Sequence, residues 1–111
     1  MSGQNLFLEL RAKQQLLETS LAALGKRGRD SANAEQTYRV ALAKKILEER
    51  EKGTPVTIIS DVCRGNSEIA QLKFNRDVAE VVYKAAIEAI NIYKLAIRTL
   101  DEQINREWNR A

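Results

Sequence analysis

A chain of 111 residues with 44% hydrophobic, 30% charged and 5% aromatic residues is expected to form one domain, and at this size about two thirds of the unfolded surface is buried, which excludes a deep enclosed pocket beside the core. The net charge of +3 is small enough for salt to screen its pull on polyanions. The absence of histidine removes the commonest general base and metal ligand, and a single cysteine makes no internal disulfide, which suits a reducing cytosol.

The opening MSGQNLFLELRAKQQ carries charges where a secretory signal needs an unbroken apolar core. No apolar run approaches the ~20 residues of a bilayer span. The expected location is therefore the cytoplasm, with no membrane partner.

In the first arm, Phe7, Leu10, Gln14, Leu17, Leu21 and Leu24 alternate steps of three and four, a heptad seam that continues through Gly28, Ser31, Glu35, Tyr38 and Leu42. Ala34, Ala41 and Ile46 widen the stripe. The segment GKRGRDS, residues 25–31, is the open point. Two glycines cost about 1 kcal/mol each inside a helix, and Asp30 or Ser31 suits a fresh N-cap. Against a break stands the preserved heptad frame. A continuous first arm gives a long antiparallel helical hairpin of coiled-coil type; a turn at 25–31 gives a three-helix bundle. Both are all-α.

The stretch EKGTPVTIISDVCRGNSE, residues 51–68, does not read as continuous helix. Gly53 suits the left-handed position that ends a helix, and Pro55 holds Thr54 extended. Thr57 is expected to cap a short helix, Ile58 to Arg64, closed by Gly65, with Asn66 or Ser67 capping the next. Val56, Ile58, Ile59 and Val62 are expected to cover the hairpin end as an apolar plug. A DNA-binding helix-turn-helix presenting Gln71, Lys73, Asn75 and Arg76 is the sharper alternative. It fits poorly, because Asp61 falls where a small residue should pack and Arg64 where a buried one should.

The second arm repeats Ile69, Leu72, Arg76, Ala79, Tyr83, Ala86, Ile90, Tyr93, Ile97, Leu100 and Ile104 over five heptads, with Val82, Ala89 and Ala96 broadening the face. The expected organisation is one hairpin domain over 1–111: first arm about 4–52, corner 53–66, second arm about 67–108. End-to-end matching of the arms pairs Tyr38 near Val81, Leu24 near Leu95 and Leu8 near Ala111.

Val78, Val81, Ile87, Ile92 and Leu95 fall outside the second arm's seam, and one antiparallel partner is too narrow to cover them. Uncovered apolar area of this extent marks an interface, so these five residues are the expected oligomer contact, in a dimer or tetramer of hairpins, with the corner open to a protein partner. The basic residues Lys26, Arg27, Arg29, Lys44 and Lys45 form the alternative site, a nucleic-acid contact. Acidic residues interleave with them and no aromatics are spaced to stack bases. No catalytic, cofactor or metal residues are expected. Cys63 lacks a histidine to activate it or a second thiol to share a metal, and the acidic neighbours in Glu48, Glu49 and Glu51 point in different directions.

The run YRVALAKKILEEREKGTPVTIISDVCRGN, followed by LKFNRDVAEVVYKAAIEAINIYK, resembles small helical proteins encoded by phages and prophages of Gram-positive bacteria. The likeness covers about Tyr38 to Trp108. Its most specific part is the corner Gly53-x-Pro55-Val56-Thr57-x-Ile59 with Arg64-Gly65-Asn66 behind it. The resemblance implies a bacterial cytoplasm during infection or lysogeny. It transfers no catalytic residue, because no activity is established for that group. The function expected is a non-enzymatic, self-associating coiled-coil scaffold; the alternative is a nucleic-acid-binding accessory of phage replication or recombination.

Overall fold

The computed structural model describes residues 3–110. Its three helices are α1 (Gly3–Glu51), α2 (Val56–Arg64) and α3 (Ser67–Arg110), and no strand occurs among the described residues. The class is all-α, and each of the two units described next combines a stretch of α1 with a stretch of α3. Residues 25–31 are helical throughout, so the three-helix-bundle alternative does not arise.

The described residues group into two compact units, 3–26 with 84–110 and Arg27–Tyr83. In the second unit Tyr38 is buried, and the Arg76 guanidinium stacks over its ring at 4.7 Å. Arg76 also reaches Glu35 at 3.5 Å and Asp77 at 2.8 Å. A charge therefore occupies a seam position, compensated by an aromatic face and two carboxylates. Gly28 supplies room in the same unit. A Cβ built there would meet the Tyr83 ring at 3.3 Å, so the glycine permits close approach of the ring. In the first unit Leu6, Ile90 and Leu100 are buried, and Leu6 shares a small cleft with Gln103 and Arg106.

These neighbours correct the pairing expected from arm length. Tyr38 lies under Arg76, five residues before Val81, while Val81 and Leu95 are exposed. Leu6 meets residues near 103–106, and the expected partner of Leu8, Ala111, lies outside the described residues. The shift arises at the corner. End-to-end matching treats 53–66 as a simple reversal. In the structure, however, Ile69 shares a groove with Ala41 and Lys44, leaving the last turns of α1 beside the corner.

Every second-arm seam residue from Ile69 to Ile104 is buried or half-buried, in unbroken steps of three and four. The first arm differs in its early half. Leu10, Leu17, Leu24, Ser31 and Tyr38 are inward as expected, but Leu6, Lys13 and Ser20 are the less exposed partners, while Phe7, Gln14 and Leu21 are exposed. Two successive steps of four, Ser20 to Leu24 to Gly28, restore the frame. This is a stutter, the correction an α-helix of 3.6 residues per turn makes against a 3.5-residue repeat. It ends at Gly28 inside GKRGRDS, where a small side chain meets the phase change.

Gly25 is exposed within uninterrupted helix. Replacing it with alanine removes the glycine's conformational freedom in the unfolded chain. The expected gain is about 0.5–1 kcal/mol, seen as a melting temperature higher by several degrees in a circular-dichroism melt. An unchanged or lower value would argue against regular helix at this position.

Candidate functional site

Three regions were candidates: the corner, the basic residues of α1, and the outward face of α3. The corner is built as a helix stop and return. Gly53 has φ 81°; its N–H donates to Arg50 O at 3.0 Å, and the Thr54 N–H to Glu49 O at 3.1 Å. This is the paired pattern of a Schellman C-cap. Such caps commonly close on an apolar contact between the flanking residues. Here a polar one takes its place, with Thr54 Oγ1 donating to Glu49 Oε2 at 2.7 Å. Glu49 is buried, and Lys52 and Lys45 lie 3.6 and 3.8 Å from its Oε1.

The Thr54 hydroxyl first, then Lys52 and Lys45, hold the Glu49 carboxyl below the ordinary carboxylate value, with burial opposing them. A folded value below the unfolded one stabilises the fold above the unfolded value and is lost as pH falls through the folded one. Melting temperature is therefore expected to fall on acidification below about pH 4.5. The fall should be shallower for Glu49→Gln, whose amide still accepts the Thr54 hydrogen bond. Parallel pH curves for the two proteins would show that Glu49 contributes no such linkage.

The corner helix starts earlier than expected. α2 begins at Val56, with Pro55 at its N-cap and no side-chain cap bond, so Thr57 is inside the helix rather than capping it. Proline at this boundary forfeits nothing, because N–H groups in a first turn have no helical acceptor. Gly65 ends α2 in the right-handed region, at φ −80°. Asn66 caps α3 as expected, its Oδ1 accepting from the Glu68 and Ile69 N–H groups at 3.1 and 3.2 Å. The expected plug is only partly made. Ile59 is buried and is joined by fully buried Cys63, one helical turn along, whereas Val56, Ile58 and Val62 are exposed. Cys63 is thus a packing thiol.

The basic residues do not converge. Arg27 and Arg29 are two apart and project to nearly opposite sides of α1. Lys44 and Lys45 border an open groove with Glu48 and Glu68, and Lys45 Nζ donates to Glu48 Oε2 at 3.4 Å. Lys26 is exposed on the helix. Of the helix-turn-helix candidates, Arg76 is engaged with Tyr38 and Glu35, and Gln71 bonds Asn75 at 2.9 Å. Among the described residues no group of three histidine, cysteine, aspartate or glutamate side chains is placed to hold a metal, and no helix is long and apolar enough to cross a membrane.

The outward face of α3 is the region with organised chemistry. Phe74, Val81, Ile92 and Leu95 are 61%, 65%, 57% and 59% exposed, and Val78 is exposed with them. Each sits two residues after a seam position: Leu72, Arg76, Ala79, Ile90 and Tyr93. Two residues turn a helix by about 200°, so α3 carries a second apolar seam opposite the first. Ala85, Glu88 and Thr99, all exposed, complete the series. The Thr99 hydroxyl is satisfied by donating to Leu95 O at 3.0 Å, which leaves its methyl for packing.

Four of the five interface residues expected from sequence share this stripe. Ile87 lies about a third of a turn away, flanking the inner seam. Phe74, missed from sequence, extends the stripe toward the corner; its signal was the same two-residue offset. Compared with protein-family models, curated proteins and solved structures, the chain has no significant match in any of the three.

Proposed function

We propose that the protein is a non-enzymatic helical scaffold that associates with itself through the outer seam of α3. The observation that carries this reading is a second heptad stripe, Phe74, Val78, Val81, Ile92 and Leu95, exposed on a helix whose first stripe is already used. Scattered surface aliphatics need no explanation, but a row at coiled-coil spacing is a surface built to be covered. A two-fold pair of chains joined along it sets the two α3 helices against each other, each with α1 on its opposite side. The sequence's lack of histidine favours a binding role over catalysis. The resemblance to small phage and prophage proteins supports a bacterial cytoplasm as the setting of that role, and the exposed Val56, Ile58 and Val62 of the corner offer a surface for a protein partner.

Linkage supplies the test. An associating chain is stabilised by mass action, so its melting temperature should climb with protein concentration through the micromolar range. A melting temperature independent of concentration would remove self-association, and with it this reading.

A further inference from the structure

The outer seam also carries information about the orientation of the second copy, and the inference rests on the self-association proposed above. Glu88 interrupts the apolar stripe at a core position, between Ala85 and Ile92. In a parallel pair each seam residue meets its own counterpart, so the two Glu88 carboxylates would share one core layer. Like charges there are repulsive and desolvated.

An antiparallel pair avoids this in one register. Opposing Val78 to Leu95, Val81 to Ile92 and Phe74 to Thr99 brings Ala85 of each copy against Glu88 of the other, twice, about the two-fold axis. Alanine is the smallest side chain in the stripe and leaves space for the carboxylate to turn outward. Lys84, already engaged within its own chain, flanks that layer. The same edge brings Asp77, bonded within its own chain to Arg76 at 2.8 Å, toward Arg98 of the second copy. The opposite edge sets Val82 against Ala89. Shifting the register by one heptad in either direction places Glu88 against Ile92 or Val78. Charge and size complementarity therefore select one arrangement.

We infer that the partner of this face is a second copy of the chain, docked antiparallel with its two-fold axis between Ala85 and Glu88. Glu88 then discriminates orientation: it is tolerated in this register and penalised in parallel or shifted ones, as single polar core residues do in coiled coils.

Disulfide trapping reads the arrangement directly. Val81 and Ile92 are exposed in the single chain, so Val81→Cys and Ile92→Cys are expected to fold. Native Cys63 is fully buried, and the unsubstituted chain serves as the control. In the antiparallel register, Val81 positions of two copies are separated by about 16 Å along the axis, beyond the ~7 Å span of a disulfide. Val81 and Ile92 are then neighbours. The expected result is a cross-link when the two variants, one carrying a size tag, are mixed and oxidised, and none from either variant alone. A Val81→Cys homodimer as the main product would overturn the antiparallel assignment while leaving self-association intact. So would the absence of any cross-link in a chain that sediments as a dimer. A chain that remains monomeric would fail the underlying proposal itself.

Discussion

Tyr38→Ala is expected to cost about 3–5 kcal/mol of folding stability, the range for removing a large aromatic from a packed site. Tyr38 is buried against α3 with the Arg76 guanidinium over its ring. Truncation therefore removes apolar contact and strips the aromatic face from a half-buried cation. Because a small domain is stabilised by only about 5–15 kcal/mol, the variant should unfold at markedly lower urea concentration. Tyr38→Phe keeps the ring and should lie near the wild type. Equal losses for the two variants would place the energy in the hydroxyl and contradict the packing account.

The second large effect concerns association. Placing carboxylates in the outer seam with Val81→Glu and Leu95→Glu buries uncompensated charge wherever that seam is covered. Both sites are exposed in the single chain, so the helices should form as before. The dissociation constant should rise by about a hundredfold or more, equivalent to about 2.7 kcal/mol. The same pair of changes on a face that contacts nothing would leave the mass of the particle unaltered. Light scattering alongside circular dichroism separates loss of association from loss of folding.

The parts of the fold legible in the sequence were those where one physical signal had no competitor. The seam of α3 from Ile69 to Ile104 runs without a phase change, and aliphatic, aromatic or alanine side chains hold nearly every position. The early half of α1 was ambiguous because its alternative frames, Phe7, Gln14 and Leu21 against Leu6, Lys13 and Ser20, each contain polar residues. Hydrophobicity favoured the first frame, whereas helical geometry over several turns uses the second and resets at Gly28. Phe7 and Leu21 are exposed as a result, adding apolar surface to the first unit.

The pairing of the arms is hidden from the sequence for a different reason. Periodicity along a helix fixes which face is inward but not where a partner begins, and that offset was set by the corner. The Schellman cap at Gly53 was legible from its glycine and proline, and so was the Asn66 cap. The buried Glu49 and its bond to Thr54 were not, because a glutamate in KKILEEREK reads as a solvated face until the chain after it is placed. Four residues of the outer stripe stood out as aliphatics off the seam. Phe74, between polar Lys73 and Asn75, did not, and Ile87 was grouped with the stripe on hydrophobicity although its angle differs.

In the arrangement proposed, α3 is one helix with two opposite apolar seams, the inner against α1 and the outer against another copy. Sedimentation equilibrium of the unmodified chain across the micromolar range tests this most directly. The account predicts a mass twice that of the single chain, reverting toward one on dilution. A mass of one chain at every concentration, from a protein that remains helical, would contradict it.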